Sequence, residues 1–94
     1  MNKPFYTSAA VRDLEDILEF IARDKPGAAI KWIEVIEAKC LLIASSPGIG
    51  EALPQLGPAV RASSIGRYVI FHRYANRRLE ILRVLAGGRE ITNL

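Results

Sequence analysis

With 94 residues, 50% of them hydrophobic and 24% charged, the chain has room for one domain, spanning residues 1–94, and the composition of a globular protein. Its apolar runs fall well short of the ~20 residues that a membrane helix needs, and its first residues carry acidic groups without the apolar stretch of a signal peptide. The net charge of +3 is modest beside that of proteins whose affinity rests mainly on phosphate contacts.

The charge is unevenly placed. Most of the acidic groups lie between residues 11 and 39, whereas residues 61 to 89 hold seven arginines against Glu80 alone. Such asymmetry points to an anionic or acidic partner for the second half, the alternative being an ordinary solvated surface. Cys40 is the only cysteine, so no internal disulfide can form. A buried thiol in a reducing, cytoplasmic setting is expected.

In chain order, KPFYT (residues 3–7) reads as an edge strand, since Pro4 cannot donate to a ladder. Ser8 offers an N-cap oxygen to a helix over 9–23. There Ala10, Leu14, Ile17, Leu18 and Ile21 share one face, and Asp13, Glu15, Asp16 and Glu19 lie on the other side. Asp24-Lys25-Pro26-Gly27 breaks this helix and opens a second, over 26–45, with Pro26 at the first helical position. Ala29, Ile33, Ile36, Cys40 and Ile43 form its stripe, widened by Trp32, Val35 and Leu42. A face that wide should contact both the first helix and a sheet. The prolines and glycines of residues 46–58 predict a long loop. A strand follows over 59–64, and then a hairpin carries Val69, Ile70 and Phe71 in one strand and Leu79 to Leu85 in the other.

The expected fold is α+β in the order β-α-α-β-β-β, with the helical hairpin on one face of a mainly antiparallel sheet. If the helices cover one face only, Ile70 or Phe71 and their cross-strand partners should form an exposed apolar patch on the other, open to a partner chain.

Catalytic equipment is sparse. His72 sits mid-strand with no carboxylate spaced to orient it, one His and one Cys cannot build a metal site, and no nucleophile-elbow or phosphate-loop motif occurs. No catalytic residue, metal ligand or cofactor is therefore expected. What remains is arginine chemistry, holding anions or acidic side chains.

The segments LEDILEFIARDKPGAA, SSPGIG, VRASSIGRYVIFHRY and LEILRVLAGGREI together resemble the ParE branch of the ParE/RelE toxin superfamily over nearly the whole chain. The most specific parts are G-x-Y-V-I-F at Gly66 to Phe71 and I-L-R-V-L…R at Ile81 to Arg89. The resemblance implies a bacterial type II toxin of the plasmid-stabilisation kind that inhibits DNA gyrase by binding. It also implies a hetero-oligomeric complex with a cognate antitoxin, a ParD-like ribbon-helix-helix protein whose tail folds onto the toxin. Neither membrane association nor sequence-specific DNA binding by this chain is implied. One alternative is ribosome-dependent cleavage of messenger RNA, as in the RelE branch. There, arginine often stands where this chain has Tyr68, and a general acid or base closes the chain. Another alternative is a non-toxic, antitoxin-binding member; Ala86 stands where many ParE-like chains carry histidine. The candidate contacts with target or antitoxin are Arg61, Arg67, Tyr68, Arg73, Arg83 and Arg89. Arg83 has a competing reading, as the partner of Glu80 or of a helix carboxylate.

Overall fold

The computed structural model describes residues 3–87 and residue 94. Two helices lie on one face of a five-stranded mixed sheet. The strands are β1 (Phe5–Tyr6), β2 (Glu51–Ala52), β3 (Val60–Ile65), β4 (Tyr68–Ala75) and β5 (Arg78–Ala86); the helices are α1 (Ser8–Ala22) and α2 (Pro26–Ser45). The sheet order is β1-β5-β4-β3-β2, antiparallel except that β1 runs parallel to β5. The loop after α2 is more ordered than its prolines suggest, since it contains β2 and a turn of 3-10 helix at Pro54–Leu56. No described helix is long and apolar enough to cross a membrane.

Thr7 rather than Ser8 caps α1. Its extended backbone (φ −66°, ψ 162°) turns the hydroxyl to accept from the Ala10 N–H at 3.1 Å, leaving Ser8 as the first helical residue. The same hydroxyl donates to the Leu82 carbonyl at 2.9 Å, so one side chain starts the helix and fastens it to β5.

The core lies between the layers. Ala10 and Ile17 of α1 and Ile36, Cys40 and Ile43 of α2 meet Tyr68, Ile70, Leu79, Ile81 and Val84 of the hairpin. A bulge at Phe71/His72 sets Phe71 opposite Arg83 and His72 opposite Ile81, which leaves Leu82 as the extra residue of β5.

The sheet does not carry the expected apolar patch. Ile70 belongs to the core at 0% exposure, and Phe71 on the opposite side is only 6% exposed. Phe71 and Val60 have Arg83 and Arg73 as cross-strand partners, and arginine stems are long enough to cover a neighbouring ring or methyl group. Most of the exposed apolar side chains lie on the helices instead, among them Val11, Leu18, Phe20, Ile30, Leu41 and Leu42, while Phe5 and Tyr74 are exposed at the sheet.

Gly66 explains the first residue of the G-x-Y-V-I-F pattern. It turns β3 into β4 at φ +58°, and a Cβ there would run into the Trp32 ring, 2.9 Å from Cζ3. That ring packs edge-on against Tyr68, with centroids 5.8 Å apart at 71°. The turn therefore needs a left-handed residue without a side chain. Gly66→Ala is expected to cost about 2 kcal/mol from strain plus collision, read as a lowered urea midpoint at unchanged slope.

Candidate partner-binding surface

The sequence places most cations in the hairpin, and the fold sorts them into engaged and open groups. Arg83 of β5 reaches Asp13 of α1 with both forks, Nε to Oδ2 at 2.7 Å and Nη2 to Oδ1 at 2.9 Å. The Val84 N–H donates to the same Oδ2 at 3.0 Å. Asp13 is 7% exposed, so one buried carboxylate accepts three donors and clamps α1 to β5. Hydrogen bonding to Asp13 raises the Arg83 pKa above its ordinary value. This is the helix-carboxylate pairing weighed for Arg83 from the sequence.

Arg73 is engaged as well, with Nε and Nη2 at 3.0 and 2.7 Å from Glu80 Oε1. Hydrogen bonds from Arg73 hold the Glu80 carboxyl below its usual range. Arg78, not among the sequence candidates, shares that carboxylate at 3.5 Å and lies 4.0 Å over the Phe5 ring. Arg61 donates to the Gly50 carbonyl at 2.9 Å. Tyr68 is 5% exposed beneath Trp32. Arg67 is exposed in the β3–β4 turn, with no side-chain partner among the described residues. Arg89 lies outside the described residues. Thus the six candidates do not converge on one spot.

Arg67 borders a cleft of about 310 Å³ between α1 and the ends of β4 and β5, which Asp16, Phe20, Tyr68 and Leu85 also line. A second depression, of about 270 Å³, runs between the helices over Tyr6, Val11, Leu14, Leu18 and Ile33, with Glu15 and Glu37 at its rim. Sequence reasoning did not single out this helical groove. Its signal was present in part: Leu14, Leu18 and Ile33, assigned to the core stripes, line this groove. Elsewhere on α2, Val35 and Leu42, assigned to its stripe, are 43% and 54% exposed. An α2 that is apolar nearly all round exceeds what one sheet and one helix can cover.

His72, the only histidine, is sealed at 0% exposure. Nε2 lies 2.9 Å from Ser63 Oγ and Nδ1 has no partner. Burial, then the cations of Arg61 and Lys39, push its pKa down to about 4. The ring is neutral near pH 7, and Nε2–H donating to Ser63 is the tautomer that leaves only a lone pair unpaired. Burial likewise pushes the Cys40 thiol up to about 11, against a lowering hydrogen bond with Tyr6. Among the described residues, no three His, Cys, Asp or Glu side chains gather as metal ligands.

The sequence model of one family, described as the ParE toxin of the type II toxin–antitoxin system parDE, matches residues 5–91. The chain belongs to the ParE toxin family. No curated protein sequence matches it. Among solved structures, this ParE-family chain is similar to a chain of the chromosomal ParDE toxin–antitoxin system from P. aeruginosa. The TM-score is 0.78 at 22% identity, covering 92% of this chain and 96% of that one. It is also similar to a chain of the RelBE2 toxin–antitoxin complex from Mycobacterium tuberculosis, with a TM-score of 0.67 at 18% identity, covering 90% and 96%. Both likenesses concern the fold: two helices on a mixed sheet, as in the ParE/RelE-like arrangement expected from the sequence.

Proposed function

We propose that this ParE-family chain inhibits DNA gyrase by binding it, and that a ParD-like ribbon-helix-helix antitoxin keeps it inactive in a hetero-oligomeric complex. Family membership over residues 5–91 supports the toxin role. The observation that carries binding over RNA cleavage is the placement of His72. Attack by a 2′-hydroxyl needs one group to take a proton and another to return it. His72 touches Ser63 beneath the surface, where no substrate atom could reach it. Arg83, a cation that could hold a scissile phosphate, is already bound through both forks to Asp13. The helical groove supplies apolar anchoring of the sort that suits an antitoxin tail folding on contact.

The purified chain at stoichiometric excess should abolish gyrase supercoiling, and the antitoxin encoded beside it should restore the activity. Untouched supercoiling, together with codon-position cuts in translated messages, would replace this reading with RelE-type cleavage.

A further inference from the structure

The closed end of the β4–β5 hairpin is the most cationic place in the described fold. Arg73 and Arg78 contact Glu80, whose side chain is only 11% exposed, and Arg77 is exposed in the adjoining turn, so three positive charges stand near one largely covered negative charge. A guanidinium has five N–H donors. Arg73 spends two on Glu80 and Arg78 comes near it with one, while Arg77 has no side-chain partner among the described residues. The turn itself is the second observation. Asn76 and Arg77 occupy its two central positions at φ 54° and 62°. Asparagine tolerates that conformation, and glycine is the residue that usually follows it in such two-residue hairpins. An arginine there holds a left-handed backbone that side chains seldom adopt and leaves its guanidinium-bearing side chain exposed at the turn.

We infer that this hairpin end makes sequence-independent contacts with the phosphate backbone of duplex DNA. The surface around it favours that partner over an acidic protein segment. None of the clefts that could anchor an apolar side chain is lined by Arg73, Arg77 or Arg78. Carboxylates docking there would gain only exposed ion pairs, whereas a duplex engages several cations at once and releases counterions. An unpaired strand would want an aromatic platform. Of the rings near the cluster, Phe5 already has a face covered by Arg78, and Tyr74 follows Arg73 in β4 and so alternates to the other side of the sheet. The contact is weak, fast and strongly dependent on salt. It does not rest on gyrase being the target, and loss of gyrase inhibition with DNA binding intact would count against that proposal alone.

The test uses the full chain and a labelled duplex of about 20 base pairs, followed by anisotropy from about 20 to about 200 mM salt, where affinity should fall with a log–log slope of about −2 to −3. Arg77→Gly removes the charge and relaxes the turn, so binding should weaken several-fold at low salt and the slope should lose about one unit. Its urea midpoint should hold or rise, while Arg77→Lys should retain the binding. Three results would overturn the inference: duplex affinity unchanged in Arg77→Gly, tighter binding of a single-stranded oligonucleotide, or equal competition by a polyglutamate peptide of matched charge.

Discussion

Replacing Asp13 by alanine should be the most damaging single change outside the apolar core, at about 3–5 kcal/mol. Among the described residues the carboxylate has no substitute: its loss leaves the Arg83 guanidinium without the one carboxylate it meets there and the Val84 N–H without its acceptor at a strand edge. Removing one partner of a covered pair costs more than the pair ever contributed, because the survivor keeps its desolvation penalty. Against a total stability of order 5–15 kcal/mol, that is enough to empty much of the native state. The melting temperature should fall by roughly 4–8 °C for each kcal/mol lost. Converting the pair together, to Asp13→Leu with Arg83→Met, should recover a good part of the loss, since it strands no charge. A double variant no more stable than Asp13→Ala would show that the pair is not what holds α1 to β5.

Acidification should expose the second weak point at His72. The folded ring resists protonation down to about 4, against an ordinary 6.5, so as pH falls the unfolded chain takes up the proton first. Its contribution is therefore fully present above about pH 6.5 and is lost as pH drops toward 4, by about 3 kcal/mol in all. Glu80 pulls in the same direction lower in the scale, because a carboxyl held below its usual range by Arg73 contributes fully above that range and loses its contribution as pH falls from there through its lowered folded value. Urea unfolding at intervals from pH 7 down to about pH 3 separates them. His72→Gln should flatten the upper part of the profile and Glu80→Gln the lower part. If His72→Gln leaves the upper part as steep as before, the buried imidazole is not its source.

Much of the architecture was legible because its signals are local. Pro26 after a charged turn gives the start of α2, and alternating apolar residues between Gly66 and Gly87 give the hairpin. The misplaced features depend on distant partners. Choosing Thr7 over Ser8 as the cap requires knowing that β5 runs alongside to accept the Thr7 hydroxyl. The fate of Arg83 was legible only as alternatives and that of Arg73 not at all, since spacing in sequence cannot show that Asp13 will face Arg83 or that Glu80 will take Arg73. The apolar patch was looked for on the sheet because strand alternation implies two faces. Ile70 and Phe71 are both buried, and most of the surplus hydrophobic area emerged on α1 and α2.

The long reach of Thr7 and Asp13 also dictates an order of events. Their bonds span 75 and 70 residues, and among the described residues β1 pairs only with β5. The amino-terminal helix can fold early against α2, but β1 and the clamp from α1 to β5 wait for the last strand, so on the ribosome the sheet-facing side of the helical pair stays uncovered for nearly the whole of translation. A nascent chain in that condition is open to capture by whatever is nearby, and early encounter with a protective partner would meet it at its least structured.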